Sequence, residues 1–309
     1  EMLRVIASRG RSFHRTMGST KPLSTTGPVQ SFDGEERARV FAAFFEQGSP
    51  MWAAMGKLAE AELSAPPRTI LDVGTGPGEP ACHFASKFQC PTLATDVAAS
   101  MVELAKKRAA AKGLAELVKC QLMDATDMSA LADASQDLVI GQMVYQFLPD
   151  KPAALREALR VLKPGGLMVA NVWVAFDLIT MAGGIMAAVK GPPPQAPPPP
   201  NPNSPLGLAD ASLFDGLLEG AGFEFTGSHN TEGSIVADLG APDSDQAFKM
   251  TALPLWDALT GLQDSGEVPD AWARAQAAFP GVAAPFVGED GLVSLNGTYR
   301  IAVARKPAP

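Results

Sequence analysis

From residue 69 onward the chain alternates short apolar runs with longer amphipathic stretches. The runs lie at 69–73, 92–96, 117–124, 138–141 and 167–174, and each is short enough to be a strand. Between them, at 80–88, 99–111 and 151–162, apolar positions recur every three or four residues, as one face of a helix requires. Apolar strands alternating with helices predict a parallel sheet covered on both faces, which binds its ligand at the carboxyl ends of the strands. Upstream, Asp33 with Glu36 reads as a capped helix start, and Val40, Phe41, Phe44 and Phe45 fall on one helical face. A second helix follows Gly48-Ser49-Pro50, carries Trp52, Met55, Leu58 and Leu63, and stops at Pro66-Pro67. Downstream, 209–221 reads as a helix closed by Gly222, and 298–304 as a strand.

Two stretches need a choice. Residues 167–189 are apolar enough to suggest a membrane span, but Asn171, Asp177, Thr180 and Gly183-Gly184 interrupt them, so a buried strand followed by a helix fits better. Residues 191–205 are polyproline-like and cannot enter helix or sheet; they read as a stiff surface connection, with a docking motif for a proline-recognition module as the alternative. The expected organisation is a leader (1–32), cap helices (33–68), a ligand-binding core (69–190), the proline-rich loop (191–205) and a C-terminal part of the sheet with acceptor-site helices (206–309).

Composition narrows the partners. Of 309 residues 46% are hydrophobic, enough for one large core with a cap, and the formal net charge is −8. A surface of that sign repels a phosphate backbone, which argues against nucleic acid. The three cysteines, Cys82, Cys90 and Cys120, show no paired metal spacing and read as reduced thiols, so no metal is expected. Cys82 beside His83 is a poor ligand pair, because adjacent helix residues point apart. Arg4, Arg9, Arg11, Arg15 and Lys21 fall in a stretch where no acid occurs between Glu1 and Asp33. It reads either as a mitochondrial or plastid targeting segment or as an ordinary flexible leader on a cytoplasmic, soluble protein. Monomer and homodimer both remain open.

The chemistry concentrates at three strand ends. Leu71-Asp72-Val73-Gly74-Thr75-Gly76-Pro77-Gly78 follows the first strand and opens a helix, its glycines allowing a ligand to lie against bare backbone. A dinucleotide turn would need glycine at position 79, where this chain has Glu79, an acid unsuited to pyrophosphate at a helix N-terminus. Asp96 ends the second strand, where a carboxylate can accept from two ribose hydroxyls, and Met123-Asp124-Ala125 ends the third. Asp124 reads equally as an adenine contact or a loop cap.

This constellation resembles the class I S-adenosylmethionine-dependent methyltransferases. The resemblance rests on LDVGTGPGEPA, TDVAASMVELAKKRA, LMDATDM and QDLVIGQMVYQFLPDKPAALREALRVLKPGG. Within that family it is most similar to the ubiquinone/menaquinone-type small-molecule branch (methyltransferase type 11-like). It implies a Rossmann-like, seven-stranded, mostly parallel α/β sheet whose last strand is antiparallel, with N-terminal and late helices closing the acceptor pocket. It also implies S-adenosylmethionine as cofactor and S-adenosylhomocysteine as product. Gly74, Gly76 and Gly78, with Thr75, would cradle the methionine moiety; Asp72 would fix that loop or meet the ammonium, Asp96 the ribose and Asp124 the adenine amino group. Val97, Met101 and Ala125 would border the adenine, and Gln142 the sulfonium end.

In-line methyl transfer needs a base only when the acceptor must lose a proton. Tyr145 and His229 are the candidates for one. Phe44, Phe45, Trp52, Tyr145, Gln146 and Trp173 are the candidate acceptor contacts, since aromatic faces stabilise a sulfonium. Two acceptor classes stay open: a phenol or quinol methylated on O or C, and a thioether sulfur giving a sulfonium such as a dimethylsulfoniopropionate precursor. An NAD-type oxidoreductase and a cofactor-binding, non-catalytic partner subunit are the alternatives.

Overall fold

The computed structural model describes residues 35–192 and 201–308. The basic leader, the Asp33 cap and most of the proline run therefore lie outside the described residues. Two N-terminal helices, α1 (Glu35–Phe45) and α2 (Ser49–Glu62), precede an alternating core. The core runs β1 (Ile70–Val73), α3 (Glu79–Phe88), β2 (Thr92–Asp96), α4 (Ala99–Ala111), β3 (Val118–Leu122), β4 (Gln136–Gln142), α5 (Lys151–Val161) and β5 (Leu162–Phe176). Then follow α6 (Asp177–Lys190), α7 (Ala211–Ala221), β6 (Glu224–Phe225), β7 (Thr231–Gly240), α8 (Asp245–Ala252), α9 (Trp256–Asp264), α10 (Ala271–Ala283) and β8 (Val293–Arg305).

The sheet order is β3-β2-β1-β4-β5-β8-β6, with β7 also on β8. The first five strands are mutually parallel and β8 is antiparallel to β5. Among the described residues eight strands are present where seven were expected. The eighth arises because β6 and β7 divide one edge between them: β6 pairs with Ala304 and Arg305, β7 with residues from Val293 to Ile301. The chain breaks between them at a turn ending in Asn230, whose φ of 59° cannot continue a strand.

Strand alternation sorts the core onto two faces. Ile70, Leu138, Ile140, Leu167 and Val169 point toward α2, α3, α6 and the late helices; Leu71, Val139, Met168 and Ala170 point toward α5 and α7. Fully buried Met55 and Phe84 on the first face each contribute about 1.5–3 kcal/mol of apolar transfer. The stretch from 167 to 189 divides into the end of β5 and α6, and no helix among the described residues is long and apolar enough to cross a membrane. Helix ends follow local chemistry. Asp150 accepts from Ala153 N at 2.9 Å to start α5, Asp210 from Ser212 N at 2.9 Å to start α7, and Gly222 at φ 100° closes α7. Just beyond the proline run, Lys151 Nζ donates to Pro202 O and Asn203 Oδ1, tying the return of the chain to the start of α5.

α1 is anchored from several directions. Arg37 Nη1 meets Asp257 Oδ1 at 2.6 Å and Nη2 donates to Leu253 O, while Lys249 pairs with Glu36 and Arg108 with Glu46. These contacts lay α1 across the loop after β1.

Candidate active site

That loop is held by conformation and by space. Gly74, Gly76 and Gly78 all have positive φ, 64°, 54° and 94°. A Cβ on Gly74 would stand 2.3 Å from Val144 Cγ2, and one on Gly78 2.7 Å from the Ala105 backbone. Gly76 is different: its nearest neighbour would be the Phe41 ring of α1 at 3.5 Å, so its Cα side faces a gap roofed by α1.

Two carboxylates brace the turn. Asp96 is buried at 9% exposure, with Oδ2 accepting from Gly76 N and Oδ1 from Ala98 N, both at 2.9 Å. Asp72 is completely buried; its Oδ2 accepts from Thr75 Oγ1 at 2.6 Å, while Oδ1 has no partner among the described residues. Thr75 is itself locked by its N–H to Thr95 O at 2.8 Å. Burial pushes the Asp72 carboxyl up to about 7; the Thr75 hydroxyl and the Ala81 N–H oppose this and the nearby Asp96 charge adds to it.

Next along the sheet edge, Met101 and Ala98 pack with Ala38 of α1, with Val97 half-buried beside them. Asp124 Oδ1 accepts from both the N–H and the hydroxyl of Thr126 at 2.8 Å, so this residue does cap its loop, and Ala125 packs against the α5-side core. Glu79 is turned from the loop toward α4, where it pairs with Lys112. That pairing offsets the charge on which the sequence argument against pyrophosphate partly relied; the glycine spacing stands unaltered.

At the ends of β4 and β5 the surroundings change from carboxylates to carboxamides. Gln142 is 3% exposed, and neither amide atom has a partner among the described residues. Gln146 is fully buried with Oε1 accepting from Trp173 N at 3.2 Å. Between them Met143 sits at φ 53°, a strained setting for a branchless but non-glycine residue. Above lies an aromatic assembly: Phe45 stacks on Trp52 at 5.7 Å and touches Phe41 at 5.4 Å, while Trp173 stacks on Phe176 at 4.3 Å and Phe176 meets Phe44 at 6.0 Å. Phe45 and Trp52 thus form one ring group with Phe41, and Phe44 and Trp173 another with Phe176, which Gln146 meets through Trp173 N.

Tyr145 and His229 lie on other faces of the sheet edge. Tyr145 is completely buried on the opposite face against Phe214, and burial raises its hydroxyl far above the usual range. His229 sits beyond β8, stacked on Phe225, with Nε2 3.0 Å from Asp215 and Nδ1 accepting from Val303 N. Three strand spacings separate it from β4, roughly 14 Å. The sequence reading missed Asn171, Phe41 and Phe176. Asn171 had left a signal as a lone amide inside an apolar strand.

Comparison with known proteins adds the following. Residues 71–170 match a methyltransferase domain family. A ubiquinone/menaquinone biosynthesis C-methyltransferase, UbiE, from Geotalea daltonii is 36% identical over 107 residues, 34% of this chain and 45% of that protein. A tRNA 5-carboxymethoxyuridine methyltransferase from Escherichia coli is 26% identical over 170 residues, 54% of this chain and 64% of that protein. The chain thus spans less than two thirds of the length of these curated relatives. With a tRNA-modifying protein among the relatives, nucleic acid is not excluded as a partner, and the argument against it is the net charge alone. The crystal structure of the YcgJ protein of Bacillus subtilis superposes with a TM-score of 0.53 at 17% identity, over 83% of this chain and 99% of that one, and shows the shared fold.

Proposed function

We propose that this chain, whose residues 71–170 match a methyltransferase domain, uses S-adenosylmethionine to methylate a small molecule at an atom that need not lose a proton. The observation that carries the cofactor part is Asp72: a fully buried carboxylate with one oxygen unpartnered among the described residues, beside three glycines of positive φ. A desolvated acid next to bare backbone suits a cationic ligand head.

The residues fit the cofactor piece by piece. Asp72 would receive its ammonium, and the turn from Gly74 through Thr75 and Gly76 to Gly78 its methionine portion. Asp96, a carboxylate at the end of β2 beside the glycine turn, would accept from the ribose hydroxyls. Val97, Met101 and Ala125 would border the adenine, Asp124 reading it with the oxygen not spent on Thr126. When bound, the cofactor supplies a methyl group already activated by a positive sulfur. The chain's own part is to hold both reactants in line, exclude water beneath α1, and offer aromatic faces to positive charge.

The acceptor side of the site is built from neutral amides and aromatic rings; the Tyr145 hydroxyl is buried and raised by that burial, and His229 faces Asp215. This favours a thioether sulfur over a phenol or quinol. The deciding experiment measures S-adenosylhomocysteine formation against methylthio acids, phenols, quinols and amines across pH, at saturating cofactor. Thioether turnover with a flat profile is expected. Turnover confined to a phenol or quinol and rising through one pKa would overturn the base-free reading, and NAD binding in place of S-adenosylhomocysteine would overturn the methyltransferase reading altogether.

A further inference from the structure

The end of β4, the turn that follows it and the middle of β5 carry carboxamides whose hydrogen bonds are half made. Asn171 is fully buried, and its Oδ1 accepts from Met143 N at 3.0 Å. Gln146, also fully buried, gives its Oε1 to Trp173 N. With both carbonyl ends committed to backbone donors, the amino ends are fixed as the surplus. Asn171 Nδ2 and Gln146 Nε2 have no partner among the described residues. Gln142, the register partner of Asn171 across the two strands, has neither amide atom partnered there. Buried donors are paired in nearly all folded proteins, so a cluster of unpaired ones points to a ligand.

The row faces the cap. Asn171 and Trp173 lie on the same face of β5, about 7 Å apart. Gln142 Nε2 stands 3.3 Å from where a Gly48 Cβ would lie, and the Trp52 ring edge 2.8 Å from the same point. The floor beneath the aromatic assembly is therefore made of amide donors. The left-handed Met143 aims its N–H at both Asn171 O and Oδ1, which holds that amide in one orientation.

We propose that this row binds the methyl acceptor through an oxygen that carries no proton, a carbonyl or a carboxylate, with Asn171 Nδ2 and Gln146 Nε2 donating and Gln142 beside them. The place of the acceptor rests on the methyltransferase reading above. Two oriented N–H groups match the lone pairs of such an oxygen, whereas an ammonium would set donor against donor. The acceptor is thus a small molecule with an aromatic-compatible body and an oxygen function near the methylated atom.

The test uses three probes of one shape: 3-phenylpropanoate, 4-phenylbutan-2-one and 3-phenylpropylamine. Each is titrated into the full chain saturated with S-adenosylhomocysteine and followed by ligand-observed NMR. At least one oxygen probe is expected to bind about tenfold more tightly than the amine. A preference for the propanoate identifies an acid, and a preference for the ketone a carbonyl compound. Asn171→Asp and Gln146→Glu keep the oxygens that serve Met143 and Trp173 but remove the donors, and each is expected to weaken the oxygen probe about tenfold. Equal binding of the amine, no binding by any probe, or oxygen-probe binding unchanged in both variants overturns the proposal. Should one variant fail to fold, the other and the wild-type ranking decide. A separate titration of S-adenosylhomocysteine keeps the two ideas apart: failure of that ligand to bind sinks the methyltransferase reading, while the probe ranking repeated without it judges the carboxamide row by itself.

Discussion

The two halves of the site differ in how they spend their hydrogen bonds. On the β1–β3 side nearly every polar group is already used by the chain: Asp96 takes two backbone N–H groups, Asp124 takes Thr126 twice, and Thr75 bridges Thr95 and Asp72. On the β4–β5 side Gln142, Gln146 and Asn171 hold amide atoms with no partner among the described residues. The first half is a prebuilt frame in which Asp72 Oδ1 is left without a hydrogen bond among the described residues. The second is a set of oriented donors whose shape is completed by something else. Frame residues should show their loss in both stability and cofactor binding, and donors chiefly in acceptor binding.

The largest effect is expected in the frame. Gly78→Ala adds a Cβ 2.7 Å from the Ala105 backbone at φ 94°. Strain and overpacking together should cost about 2–4 kcal/mol of stability. Gly113 is the control, because its φ is 69° and a Cβ there meets nothing within 4 Å. Gly113→Ala should cost about 1 kcal/mol from strain alone. Equal losses in denaturant titration would show that the frame has no tight contact to break.

Asp72 gives the next effect, and its sign depends on pH. With its folded pKa pushed up to about 7 by burial, the folded chain binds a proton that the unfolded chain releases near the usual carboxylate value. Its contribution to stability therefore falls as pH rises through the interval up to about 7, then levels. Binding a cationic ligand head needs the ionised form, so affinity for S-adenosylhomocysteine should rise across the same interval. Asp72→Asn should flatten both curves, leave the free protein more stable than wild type at pH 8, and weaken the ligand roughly 10–100-fold there. A variant with wild-type affinity at pH 8 would remove Asp72 from the cofactor site.

How much of this was legible follows the same division. The frame is local: Gly74, Gly76 and Gly78 declare positive φ, Asp72 and Asp96 end strands, and strand and helix periods alternate with few interruptions, so sequence spacing implies position. The spans Thr92–Asp96 and Ala99–Ala111 came out as read. The acceptor half is assembled from distant parts. Phe41 and Phe44 reach Gly76 and Phe176 only because ion pairs to Asp257 and Lys249 fix α1, and spacing does not reveal such contacts. Asn171 was visible only as a polar interruption, and a single polar letter does not say whether its amide is satisfied. The divided edge of β6 and β7 escaped because β7 alternates in burial around exposed Val236 yet carries Gly233 and Asp238 within it, which blurs a strand pattern.

Asp124 tests whether the frame is shared between loop and ligand. Asp124→Ala removes both Thr126 bonds and should cost about 1 kcal/mol of stability, as loss of a cap does. If its other oxygen also reads the adenine, S-adenosylhomocysteine binding should weaken about tenfold and inosine-ring analogues should lose less. Calorimetry that finds stability lowered with affinity intact would leave Asp124 a loop cap and nothing more.

The smallest effect marks the outer limit of the site. His229 is fixed by two bonds that belong to the sheet edge: Nδ1 accepts from Val303 N, so Nε2 carries the proton and points at Asp215 Oδ1 3.0 Å away. Its place fastens the turn between β6 and β7 onto β8, on the flank away from β4. His229→Gln retains a polar side chain of similar reach but loses the stacking on Phe225, so stability should fall by about 1 kcal/mol. Turnover at saturating substrates should stay within about twofold of wild type, with an unaltered pH profile, since neither bond involves the groups at the strand ends. A loss of kcat of a hundredfold or more, with melting temperature preserved, would mean that the edge turn reaches the acceptor after all. The two halves described here would then need a third.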